Sequence, residues 1–192
     1  MSGSIGPGRI PLLGICASGS GIGKTTLLTA LIPALAAQGF RVSVVKHAHH
    51  AFDIDHPGKD SYRIRESGAV QTLIGSRLRW ALMTELSRLA PDQPEPDLEQ
   101  LLMQMDTSLV DMILVEGFKQ APIPKIEVYR PSLGKPLLAE HDANIIAIAA
   151  DGIVQTSLPV LDLNDPAAIA RFVISWSQSH ESIPIIDSSR TP

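Results

Sequence analysis

The segment Ala17–Thr26, ASGSGIGKTT, holds the residue types and the spacing that chemistry on a phosphate requires. Glycines let successive backbone N–H groups turn inward toward phosphate oxygens, because no Cβ blocks the turn or the approach. A helix starting at the end of such a turn adds unpaired N–H groups and a partial positive charge. The segment therefore reads as a Walker A loop in which Gly19, Ser20, Gly21, Ile22, Gly23, Lys24, Thr25 and Thr26 contact nucleotide. Lys24 would reach the β- and γ-phosphates, and the Thr25 hydroxyl would ligate Mg²⁺. The strict pattern has glycine where this chain has Ser18, and Gly19 and Gly21 are expected to supply the missing freedom.

A phosphate loop needs an acidic partner at the end of a buried strand beside it. Asp111–Glu116, DMILVE, followed by Gly117, has that form. Glu116 is the candidate to hold Mg²⁺ or fix a water, and the Gly117 N–H to approach the terminal phosphate. Lys24 and Glu116 are thus the candidate catalytic pair, and Thr25 and Glu116 the candidate metal pair. The His47–Lys59 loop carries HAHH, Asp53, Asp55 and His56. A structural zinc site there lacks a matching His or Cys pair elsewhere. The readings left open are a solvated polar loop and a switch or substrate loop acting through His47, His50, Lys59 and Asp60, with Lys119 at the same mouth. Lys125 and Arg130 are candidate cations for a second phosphorylated ligand.

The elements that must position these residues can be read from the patterning. Pro11–Cys16 is a buried strand, and Leu27, Leu28, Leu31, Ile32 and Leu35 mark one face of the helix after the loop, stopped at Gly39. Pro33 falls inside that helix and removes one backbone bond. Arg41–Lys46, Asp111–Glu116, Lys125–Tyr129, Ile145–Ala150 and Pro159–Leu161 read as further strands, and Asp60–Glu66 as a short helix. Val70–Gly75 and Arg79–Thr84 form a hairpin whose apolar residues do not alternate, so core or a second subunit should cover it. Asp97 and Asp165-Pro166 are helix starts, and Ile169, Phe172, Val173 and Trp176 line the last helix. Strands alternating with helices predict an α/β P-loop NTPase fold, a mostly parallel sheet with helices on both faces, plus the inserted hairpin. The expected organisation is a flexible leader over 1–9, one domain over 10–178 and a flexible tail over 179–192.

Composition narrows the function. With 192 residues and 44% hydrophobic content the chain suits one α/β domain with a substantial core. Sixteen basic and 20 acidic residues leave a net charge of −4, which makes no case for nucleic-acid binding. The single cysteine, Cys16, excludes a disulfide framework, and no apolar run is long enough to span a bilayer, so a cytoplasmic location is expected.

KHAHH after the second strand, DHPGKDSYR, GAVQT, RWALMTE and LVEGFK together resemble the MobB family over roughly Pro11 to Trp176. That family is the GTP-binding adaptor of molybdopterin guanine dinucleotide biosynthesis, similar to dimeric P-loop GTPases of the signal-recognition and MinD type. The resemblance implies GTP and Mg²⁺ as ligands, slow hydrolysis, a homodimer sharing sheet edges, and assistance to the guanylyltransferase MobA, which joins GMP to molybdopterin. It carries phosphate-loop roles onto Gly21, Gly23, Lys24, Thr25 and Thr26, and the acidic strand end onto Glu116. No Asn-Lys-x-Asp guanine signature is present, and Asp151 is the candidate for reading the base. Two other functions fit the residues: a small-molecule kinase with Asp55 or Asp60 as general base, and a carrier that presents a pterin without hydrolysis.

Overall fold

A computed structural model describes residues 10–48, 52–90 and 95–179. The expected leader, the tail beyond Ser179 and His50 lie outside the described residues. The chain divides into two compact units: the first runs to His47 and resumes at Asp97, and the second is Ala48–Pro96.

The first unit is built on a sheet of six parallel strands in the order β2-β5-β1-β6-β7-β8. These are β1 (Leu12–Cys16), β2 (Val42–Lys46), β5 (Met112–Glu116), β6 (Lys125–Tyr129), β7 (Ile145–Ala150) and β8 (Val160–Asp162). The central strands β1 and β5 are apolar and buried throughout, as a parallel sheet covered on both faces demands. On one face lie α1 (Lys24–Ala36) and α5 (Pro166–Ser179). There Leu27, Leu28, Leu31 and Leu35 meet Ile169, Ala170 and Val173 over the inward side chains of β1, β5, β6 and β7. The other face is covered by the short α4 (Leu98–Leu102), whose Leu98 and Leu102 pack on Val45, Ile113 and Val115. The expected α/β sheet with helices on both faces is therefore present.

Both anticipated helix starts carry side-chain caps. Asp97 accepts the Glu99 N–H at 2.9 Å, and Asp165 accepts the Ala168 N–H at 2.8 Å. Helix α1 runs through Pro33 to Ala36.

Lys125 is not a cation at the mouth of the site, as the sequence suggested. It is 1% exposed, and its ammonium meets Asp142 at 2.9 Å. Gly14 opposite makes the room: a Cβ there would lie 2.6 Å from Lys125 Cγ. Two residues on, Glu127 is fully buried and accepts the Leu138 and Ala139 N–H groups at 2.8 and 3.0 Å. Burial pushes its carboxyl above the ordinary range, against the pull of those two donors.

The second unit holds α2 (Asp60–Glu66), the antiparallel hairpin β3 (Gln71–Gly75) and β4 (Trp80–Thr84), and α3 (Leu86–Leu89). Arg65 organises it, pairing with Asp53 at 2.9 Å and Glu85 at 3.4 Å and lying over the Tyr62 ring. Leu73 and Leu82 face each other across the hairpin, with Gly75 opposite Trp80 on the same side. Leu73, Trp80 and Leu82 are 66%, 66% and 40% exposed, so the second unit does not bury this face by itself.

Candidate functional site

The site grows from the carboxyl ends of β1, β2 and β5. Parallel pairing fixes their relative position, with Ile15 level with Glu116 and Lys46 level with Glu116. The chain leaves β1, turns through Ser18–Gly23 and enters α1 at Lys24. Ile22 is the anchor of this turn, 5% exposed and packed into the α1/α5 core. Gly21 and Gly23 have φ of +74° and +121°, and Gly23 O takes the Leu27 N–H at 2.8 Å to open the helix. Gly19 does not share this conformation, so the special backbone freedom lies at Gly21 and Gly23 rather than at Gly19. Ser18 also has an ordinary φ, which explains why a side chain is accepted where the strict pattern has glycine. Ser20 and Thr26 are exposed.

Lys24 folds back over the loop, donating to Gly19 O at 2.9 Å. The Thr25 hydroxyl donates to Glu116 Oε1 at 2.8 Å, which joins the start of α1 to the end of β5. A hydroxyl and a carboxylate side by side at a helix N-terminus are hard oxygen donors of the kind a Mg²⁺ ion takes. The structure itself places a cation against them: Lys46 Nζ lies 3.1 Å from both Glu116 oxygens and 3.3 Å from Thr25 Oγ1. The oxygen pair thus fits a positive charge, although Lys46, the first residue of the KHAHH segment, has no role assigned from the sequence.

Behind Glu116 the backbone makes a tight turn, Gly117 at φ +88° and Phe118 at φ +47°. Only glycine fits at 117, because a Cβ would lie 2.7 Å from His47 Cβ. His47 donates its N–H to Glu116 O at 2.9 Å, and its ring stacks at a tilt on Phe118, centroids 4.9 Å apart. His47 therefore stands beside the acidic strand end, with the exposed Lys119 two residues past Gly117.

Arg130, at the end of β6, is the second residue that the sequence undervalued. Its Nε–H donates to Ile22 O at 2.9 Å, and its guanidinium pairs with Asp151 beyond β7. Asp151, the candidate reader of the base, is thereby tied through Arg130 to the phosphate loop. Lys59 and Asp60 belong to the second unit, where they open α2 and are exposed. Asp55 is 7% exposed and accepts the Ser61 hydroxyl at 2.9 Å and the His56 N–H at 3.0 Å. Among the described residues no three His, Cys, Asp or Glu side chains cluster as a metal site, and no helix is long and apolar enough to cross a membrane.

A family model described as molybdopterin guanine dinucleotide synthesis protein B, MobB, matches residues 12–151. The chain is similar to the molybdopterin-guanine dinucleotide biosynthesis adapter protein of Escherichia coli (strain K12), at 49% identity over 174 residues, 90% of this chain and 97% of that one. It is similar to the protein of that name from Haemophilus influenzae at 46% identity over 169 residues, 88% and 90% of the two chains. Among solved structures, a crystal structure of molybdopterin-guanine biosynthesis protein B superposes with a TM-score of 0.64 at 30% identity, over 86% of this chain and 99% of that one. Bacillus subtilis MobB shares the fold, with a TM-score of 0.64 at 24% identity over 89% and 100% of the chains. The matched region holds both the Gly23-Lys24-Thr25 turn and the Glu116 strand end that meets it, and on these grounds the chain belongs to the MobB family.

Proposed function

We propose that this protein is an adapter in molybdopterin guanine dinucleotide biosynthesis that binds GTP with Mg²⁺ and hydrolyses it slowly. The observation that carries the reading is the bond from Thr25 Oγ1 to Glu116, made directly beneath the Gly21–Gly23 turn. In this reading the loop amides and Lys24 hold the phosphates, while Thr25 and Glu116 hold the metal ion. The ion, when bound, neutralises charge on the phosphate oxygens. Arg130, paired with Asp151, holds the loop carbonyl of Ile22, and the Gly117 turn follows Glu116 at the strand end. Slow turnover is what the resemblance to the MobB family implies.

The partners of this reading are a guanylyltransferase of the MobA type, molybdopterin or its dinucleotide, and a second copy of this chain. The uncovered Leu73, Trp80 and Leu82 support a homodimer, since a two-stranded sheet with an apolar face is marginal in water by itself. Phosphoryl transfer to a small molecule is less well supported. Asp55 commits its Oδ1 to the Ser61 hydroxyl and the His56 N–H, and its Oδ2 is buried, out of reach of an acceptor hydroxyl in solvent.

Calorimetry with GTP and ATP, each with Mg²⁺, tests the nucleotide. Tighter GTP binding with release of phosphate and no phosphorylated metabolite is expected. Equal or tighter ATP binding overturns the guanine reading.

A further inference from the structure

We propose that Lys46 is a built-in counter-cation of the Thr25–Glu116 oxygen pair, and that a divalent cation binds there only by displacing it. The inference rests on the reading of that pair as the metal-holding residues. Glu116 is 7% exposed, and a carboxylate so placed needs a positive partner. Lys46 supplies one from the neighbouring strand end, contacting both carboxylate oxygens at 3.1 Å and the Thr25 hydroxyl at 3.3 Å. These are the same oxygens that a metal ion would take. An ammonium within 3.3 Å of all three oxygens already occupies the position from which a divalent cation would contact them, and the two positive charges repel, so their binding is mutually exclusive. The geometry allows the exchange: the Lys46 side chain is 53% exposed, and its flexible stem can carry the strongly hydrated ammonium into solvent.

Two consequences follow. The buried carboxylate keeps a counter-charge throughout, so the ends of β2 and β5 and the start of α1 stay aligned. The metal alone binds weakly, because it must first break three contacts. A triphosphate, which brings oxygen ligands of its own, tips the exchange, so metal and nucleotide bind together. Lys46 is thus a positioning residue and the setter of metal affinity.

The test is a Mn²⁺ titration of the full chain without nucleotide, read by the electron paramagnetic resonance signal of free Mn²⁺, since oxygen sites of this kind accept that ion. Lys46→Met should bind Mn²⁺ roughly three- to tenfold more tightly than wild type, the equivalent of one partly exposed ion pair removed. Lys46→Arg, which keeps the charge, should restore the weak binding. A merely structural lysine would not give this order. Equal or weaker binding by Lys46→Met overturns the proposal, as does failure of both Lys46→Met and wild type to bind. Glu116→Gln with GTP present separates the two readings. If it loses Mn²⁺ while Lys46→Met matches wild type without nucleotide, only the displacement idea fails. If it binds Mn²⁺ as wild type does, the metal pair itself is wrong and both readings fall.

Discussion

Replacing Gly117 by alanine perturbs the acidic strand end through two separable effects. At φ +88° an L-residue pays about 1–2 kcal/mol for the left-handed backbone. The added Cβ also lies 2.7 Å from His47 Cβ, well inside carbon–carbon contact. His47 Cβ is bonded to the backbone and cannot rotate away, and the His47 N–H is already committed to Glu116 O. Relief therefore requires moving the ends of β2 and β5 apart, an overpacking cost of about 1–3 kcal/mol. The sum is about 2–5 kcal/mol. Gly39→Ala provides the control: its φ is +81°, but nothing lies within 4 Å of the new Cβ, so only the backbone cost applies. Urea unfolding in a Trp80→Phe background, followed by the fluorescence of Trp176 on α5, compares the two in the first unit. Gly117→Ala should lose at least about 1 kcal/mol more than Gly39→Ala. Equal losses would refute the claim that His47 makes glycine obligatory at 117.

Lys24→Ala should weaken GTP binding by about 2–4 kcal/mol in calorimetry while leaving the urea midpoint nearly unchanged, and unchanged affinity would contradict the phosphate role of Lys24. Asp111 ties β5 to β2 by accepting the Arg41 guanidinium and its N–H, and these bonds hold its carboxyl below the ordinary 3.8. A depressed folded pKa gives stability that is present above 3.8 and lost as pH falls through the folded value, so Asp111→Asn should cost about 0.5–1 kcal/mol at neutral pH, with the gap closing in acid. Burial, with Glu127 nearby, pushes the Cys16 thiol up to about 12, so iodoacetamide at mildly alkaline pH should modify it only as fast as the chain unfolds. If the proposed homodimer forms through this hairpin face, wild type should sediment as a dimer and Trp80→Glu as a monomer; a monomeric wild type or a dimeric Trp80→Glu would refute that interface.

Local chemistry sufficed to read much of this molecule from its residues. Apolar runs as short as LLGIC and MILVE mark strands covered on both faces, and Asp97 and Asp165 mark helix starts, because each signal acts within a few residues. The Gly-Lys-Thr ending of the loop and Glu116 at a strand end were legible for the same reason. What the sequence could not decide was which strand ends adjoin. The order β2-β5-β1-β6 brings together Lys46, Glu116 and Thr25, which are 70 and 91 residues apart in their pairings with Glu116. Nor could charge alone tell that Lys125 is buried against Asp142 while Arg130 grips the phosphate loop, since both are cations on one strand or at its end. That difference arises from the end of β6 at which each residue sits, Lys125 at its start and Arg130 past its carboxyl end beside the loop, and from the space left by Gly14, so it exists only once the sheet has assembled.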